Sequence, residues 1–160
     1  MADLRHVVVV GAGTMGSQIA LQTAYSGRYD VSLVDAEQAQ LDRALEQNQK
    51  LVARGVEKGR LTQEQAEAAL QRVRPSTDLA RAASQADLVI EAVFENLDVK
   101  RQVFEQLERS APPPAVLASN SSTIAISRLA ELTSSPERCC NMHFFHPVTV
   151  MQLCEVVRGP

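Results

Sequence analysis

The sequence predicts an α/β fold: a doubly wound, mainly parallel sheet with helices on both faces and an inserted helical pair. Three observations predict it. Short apolar runs alternate with longer stretches of helical periodicity along the 160 residues. The first run, HVVVV at 6–10, is continuously apolar, as a parallel strand covered on both faces requires. It leads directly into Gly11, Gly13 and Gly16, and these glycines open a helical stretch. Repeated strand–helix–strand order with right-handed crossovers winds such a sheet in both directions.

Strand 6–10 is followed by a helix at 14–26 and a second strand, DVSLVD at 30–35, that closes on an acid. A long polar helix runs from Glu37 to Lys58, with Leu41, Leu45 and Val52 near helical spacing. Gly59 stops it. Thr62 with Gln65 forms a capping-box pattern for a second helix, whose apolar face is Ala66, Ala69, Leu70 and Val73. This pair, at about 37–73, is too long for a simple crossover and is expected to project from the sheet. After Pro75, ADLVIEAV (86–93) is a strand. Asp98–Arg109 is a helix with Val99, Val103 and Leu107 in one row. APPPA (111–115) is a rigid loop, AVLASN (115–120) a strand and 126–132 a short helix. RCCNMHFF (138–145) and MQLCEVV (151–157) finish the chain as strands. No repeat, low-complexity segment or linker divides it, so one domain over 1–160 is expected.

Composition removes several function classes. The chain is 45% hydrophobic and 22% charged, normal for a globular domain. Its net charge of −3 offers no basic surplus for nucleic acid, and the absence of Trp argues against base-stacking platforms. No apolar run approaches the roughly 20 residues of a membrane helix, and MADLRHVVVV does not read as a signal peptide. Cys139, Cys140 and Cys154 lack metal-ligand spacing. They read as reduced, packed thiols of a cytoplasmic protein, and no metal site is expected.

Gly11-x-Gly13-x-x-Gly16 after an apolar strand is a dinucleotide-binding fingerprint. Gly11 permits the tight turn, Gly13 lets a pyrophosphate approach the backbone, and Gly16 lets the helix pack close to the strand. The phosphates then meet the unpaired N–H groups at the helix start, where Thr14 and Met15 join the cofactor-facing set. Asp35 follows Gly16 by 19 residues, near the offset of about 20 expected for the acid that binds the adenosine ribose. Its charge repels a 2′-phosphate and no Arg follows it immediately, so the cofactor is expected to be NAD rather than NADP.

The reaction must come from other strand ends. Oxidising an alcohol requires a base, and His143 has a suitable titration range. Glu155, an acid in the apolar run LCEVV, would be costly to bury without a partner and is the candidate to orient the imidazole. Ser121 or Ser122 could hold the substrate oxygen. The plainer alternatives are a core histidine, a solvated strand acid and a helix-capping SNSS turn.

From residue 5 to 160 the chain resembles the NAD-binding domain of the 3-hydroxyacyl-CoA dehydrogenase family. The resemblance rests on VVGAGTMGSQIA, DLVIEAVFENLDVK, ASNSSTIAI and HFFHPVTVMQLCEVVRGP. It implies oxidation of the 3-hydroxyl of an acyl-CoA, with His143 as base, Glu155 as its partner and Ser122 on the substrate oxygen. It also implies cofactor contacts at Glu95, Lys100, Ser122 and His146, the last standing where many members have Asn. Lys58, sharing a helix face with Lys50 and Arg54, is implied to contact coenzyme A together with Ser122. Family members continue with a helical C-terminal domain that supplies an Asn, closes the cleft and forms most of a homodimer interface. That domain is absent from these 160 residues. The alternative is therefore an NAD-binding module without turnover. A dehydrogenase using Lys100 as its catalytic group is a third reading, but it leaves HFF and CEVV unexplained.

Overall fold

The valine run forms β1 (His6–Val10) inside the sheet, paired in parallel with β2 (Asp30–Val34) on one side and β4 (Leu88–Glu91) on the other. Val7 and Val9 face one apolar cluster and Val8 and Val10 the other, so this strand is covered on both faces. The computed structural model describes residues 4–160. Its seven strands follow the order β3-β2-β1-β4-β5-β6-β7. Here β3 is Val73–Ser76, β5 Val116–Ser119, β6 Cys139–Phe144 and β7 Cys154–Arg158. All neighbours pair in parallel except β6 and β7, which are antiparallel. Among the described residues, no helix is long and apolar enough to cross a membrane.

Helices α1 (Thr14–Tyr25), α2 (Gln38–Glu57) and α3 (Gln63–Arg72) cover one face. Ile19, Leu21, Leu41, Val52 and Ala66 meet Val9 and Leu33 there. On the other face lie α4 (Leu79–Ala83), α5 (Leu97–Ser110) and α6 (Ser127–Ala130), whose Leu79, Phe104, Leu107 and Leu129 pack on Val8, Val89 and Leu117.

The expected capping box is present: Thr62 Oγ1 accepts from Gln65 N at 3.1 Å and Gln65 Oε1 from Thr62 N at 2.9 Å. Three expectations change. Val73 does not close the apolar face of α3 but opens β3, where it pairs with Val31. Pro75 is tolerated there because β3 is an edge strand, where a missing N–H leaves no ladder gap. The short α4 was not expected; Asp78 caps it by accepting from Arg81 N at 2.9 Å. The helical pair is anchored rather than free of the sheet. Gln40 Nε2 donates to Ala12 O at 3.0 Å, and Asn48 Nδ2 donates to Ser17 O at 3.1 Å.

Gly11 has φ +101° and donates its N–H to Val34 O at 2.7 Å. A Cβ on Gly16 would stand 1.8 Å from the Gly11 carbonyl oxygen. Backbone, not a flexible side chain, blocks that position. Gly16→Ala should therefore push α1 off the sheet and cost about 1–3 kcal/mol or more, read as a lower urea midpoint. Unfolding at the wild-type midpoint would contradict this packing.

Candidate active site

The carboxyl ends of the strands form one edge. Parallel pairing continues past the strands: Ala92 N donates to Val10 O at 2.7 Å, and Asn120 N donates to Glu91 O at 2.8 Å. Gly11, Asp35, Ala92 and Asn120 consequently stand side by side. The chain leaves β1 toward β2 and β3, then returns to β4 on the opposite side. This reversal opens a crevice at the ends of β1 and β4.

The start of α1 faces that crevice. Gly13 is its N-cap and no side chain caps it, so the first N–H groups of the helix lack an intrahelical partner. A Cβ on Gly13 would meet nothing within 4 Å, which leaves room for a phosphate against the backbone. Thr14 is exposed and Met15 half-buried in the first turn. Asp35 is fixed against the turn: its Oδ2 accepts from Ala12 N at 2.8 Å and its Oδ1 from Glu37 N at 3.1 Å. These features fit a dinucleotide.

Beneath the crevice lies a charged network. Lys100 is 1% exposed and its Nζ is 2.7 Å from Oε1 of Glu91, which is 0% exposed. The same ammonium is 3.3 Å from Glu95 Oε2. It is therefore enclosed by carboxylates rather than presented to a ligand. Glu91 is the residue that sequence reasoning missed, although an acid inside the apolar run LVIEAV was a visible signal. Glu95 Oε1 takes hydrogen bonds from the Ser121 hydroxyl, from Thr123 N at 3.0 Å and from Thr123 Oγ1 at 2.8 Å. Burial pushes the Glu95 carboxyl up, but these donors and the Lys100 charge outweigh it and bring the group down from 4.5 to about 2.

The third component joins β5, β6 and β7. His143 sits directly opposite Glu155 in the antiparallel register, with Nδ1 3.1 Å from Glu155 Oε2. On the other side of the ring, Nε2 is 3.0 Å from Ser122 Oγ. A carboxylate only accepts hydrogen bonds, so Nδ1 donates to Glu155, and Nε2 on the far side of the ring shares a hydrogen bond with the Ser122 hydroxyl. Asn120 and Asn141 clip the serine turn to β6: Asn120 Oδ1 accepts from Phe144 N at 2.9 Å, and Asn141 Nδ2 donates to Ser121 O at 2.9 Å. Ser121 is buried and bonded to Glu95, so Ser122 is the serine left facing outward. The Phe145 ring lies 4.7 Å from His143, centroid to centroid.

The expected reason for the His–Glu pair does not hold. Glu155 is 58% exposed, and Val156 and Val157 beside it are exposed as well. β7 has the sheet on one side only, so its apolar sequence did not signify burial. Ser122, His143, Glu155 and Arg158 line an open cleft of about 610 Å³. Lys58 lies exposed at the end of α2 and is not among the residues lining this cleft; Lys50 pairs with Glu46 at 2.5 Å. His146 is exposed and turns toward α1, its Nε2 3.5 Å from Gln18 Nε2. Among the described residues, no cluster of three His, Cys, Asp or Glu is placed to hold a metal.

The Glu95 carboxyl generates an expectation about acid stability. Its folded value is depressed, so its contribution is complete above the ordinary value of 4.5 and is lost as pH falls toward about 2. Glu95→Gln should lower the urea midpoint at neutral pH, and the gap to wild type should narrow across that window. A gap independent of pH would show that the ionised carboxylate is not what holds the serine turn.

Comparison with known proteins assigns the chain to a family. A family model described as "3-hydroxyacyl-CoA dehydrogenase, NAD binding domain" matches residues 6–160. A probable 3-hydroxybutyryl-CoA dehydrogenase of Bacillus subtilis is 40% identical over 98% of this chain and 54% of its own length. A 3-hydroxyadipyl-CoA dehydrogenase of Escherichia coli is 42% identical over 99% of the chain and 33% of its own length. The crystal structure of (S)-3-hydroxybutyryl-CoA dehydrogenase from Ralstonia eutropha superposes with a TM-score of 0.93 at 38% identity, over 98% of this chain and 54% of that one. The chain thus spans a third to about half the length of these relatives. With the model matched over nearly all of its length, the chain belongs to the 3-hydroxyacyl-CoA dehydrogenase family, as the NAD-binding domain.

Proposed function

We infer that this chain binds NAD along the carboxyl edge of its sheet and supplies the proton-transfer residues for interconverting 3-hydroxyacyl-CoA and 3-oxoacyl-CoA. The observation that carries this reading is the Ser122–His143–Glu155 array, set on the same edge as the glycine turn. When bound, NAD supplies the acceptor for the hydride that leaves C3 of the substrate. The chain's own residues handle the proton. Nε2 of His143, held as a lone-pair acceptor by the Nδ1–Glu155 bond, takes the hydroxyl proton. Glu155 then stabilises the imidazolium. Ser122 Oγ occupies the position beside Nε2 that the substrate oxygen needs, and it turns to donate its hydrogen bond to that oxygen. Reduction runs the same proton path in reverse.

Gly11, Gly13, Thr14, Met15 and Gly16 receive the pyrophosphate, and Asp35 the adenosine ribose. Glu95 and His146 line the crevice for the rest of the cofactor, and Lys100 acts through Glu95. Lys58, on an exposed helix face with Arg54 and Lys50, offers a point charge to coenzyme A phosphates. Relatives named as 3-hydroxybutyryl-CoA and 3-hydroxyadipyl-CoA dehydrogenases support an acyl-CoA substrate. Three free thiols go with a reducing, cytoplasmic setting. A second reading, cofactor binding without turnover by this chain alone, is favoured by the openness of the cleft and the 58% exposure of Glu155.

Two variants separate binding from chemistry. Gly13→Ala should keep the wild-type unfolding midpoint but lose NADH affinity, since its Cβ meets only the space reserved for the phosphate. His143→Gln should keep NADH affinity and lower NADH consumption with acetoacetyl-CoA by about 10²-fold or more. NADH binding with no consumption by wild type would favour the binding module. No NADH binding at all would sink both readings.

A further inference from the structure

The proton path leaves the most deeply buried carboxylate of the fold without a task. Glu91 accepts hydrogen bonds from Lys100 Nζ, from Val93 N and from Ser119 Oγ, each at 2.7 Å. The donors come from α5, from the loop after β4 and from β5. One carboxylate thus joins the three segments that meet below the crevice. Replacing a buried ion pair with apolar groups of similar volume is often neutral or stabilising, so stability is a weak reason for keeping one. Geometry supplies a stronger reason. The Lys100 ammonium that Glu91 holds also faces Val93 O at 3.4 Å and Glu95 Oε2 at 3.3 Å. The other oxygen of Glu95 holds Ser121 and Thr123, the residues on either side of Ser122.

We propose that Glu91 is a positioning residue: it fixes Lys100 beneath Glu95, so that a single Glu95 carboxylate can serve the cofactor crevice and the Ser122 turn together. This rests on the reading above, in which Glu95 faces NAD. Glu91→Gln is nearly isosteric, and its amide oxygen can still accept from Lys100 and Val93. The charge is lost, and an NH2 group replaces the oxygen that accepts from Ser119 Oγ, so that hydroxyl must turn to accept instead. Among the described residues, Glu91 and Glu95 are the charged groups that face Lys100 within ion-pair distance. In the variant the ammonium keeps Glu95 as its sole counter-charge and draws that carboxylate inward, away from the crevice and from the Thr123 donors.

The test compares wild type, Glu91→Gln, Lys100→Met and the double variant of this same chain, reading urea midpoint and NADH affinity by fluorescence. Glu91→Gln should bind NADH about tenfold or more weakly. The double variant leaves no buried charge unpaired and should recover the midpoint toward wild type, while its NADH affinity stays low. Affinity that returns together with stability in the double variant, or that is unchanged in Glu91→Gln, would make Glu91 a purely structural residue and overturn the proposal. A wild-type chain that binds no NADH would instead overturn the functional reading beneath it, a result distinct from a variant that binds as wild type does.

Discussion

The contact between α1 and the end of β1 sets the geometry of everything at the carboxyl edge. Gly16 brings the helix so close that a single Cβ would overlap the Gly11 carbonyl oxygen. Gly11, at φ +101°, turns the chain within the space left between the carboxyl ends of β1 and β4. The approach points the uncapped helix start at the crevice and leaves Gly13 open in front of it. Asp35 and Gln40 then bond the backbone of Ala12, which ties the neighbouring strand end and the helical pair to the same turn. A looser contact would move the phosphate site, the ribose acid and the long helix together.

A second constraint runs along the edge from β4 to β7. Glu91, Lys100 and Glu95 connect the crevice to the serine turn, and Asn120 and Asn141 connect that turn to β6. The antiparallel register of β6 and β7 then sets Glu155 across from His143. Each link is a short polar contact to backbone or to a fixed side chain. The distance of 3.0 Å between Ser122 and His143 is therefore imposed by the sheet rather than by a mobile loop. This is the preorganisation that proton transfer between positioned groups requires.

Much of this was legible in the sequence, for physical reasons that differ by residue. The glycine turn was legible because backbone close approach leaves few residue choices, and the Thr62–Gln65 box because capping chemistry is local. β3 was hidden because Val73-Arg-Pro-Ser carries no alternation and its strand character comes from pairing with β2. The His143–Glu155 pairing was anticipated through a burial argument that fails, since β7 is an exposed edge and register makes the pair. Glu91 went unremarked because its importance lies in three donors from three separate segments. Spacing alone left Ser121 and Ser122 equivalent; they differ only in what surrounds them.

The central claim is that one edge of the sheet holds both NAD and the proton-transfer residues. Histidine resonances test it most directly, because His143 lies on that edge while His6 begins β1 at the opposite edge, with its ring bonded to Ser32. During NADH titration of the wild-type chain, the ring C–H signals of His143 should shift to saturation with the same dissociation constant as NADH fluorescence, and those of His6 should stay in place. Saturable NADH binding that leaves His143 unmoved would separate the cofactor site from the Ser122–His143–Glu155 array and contradict the account.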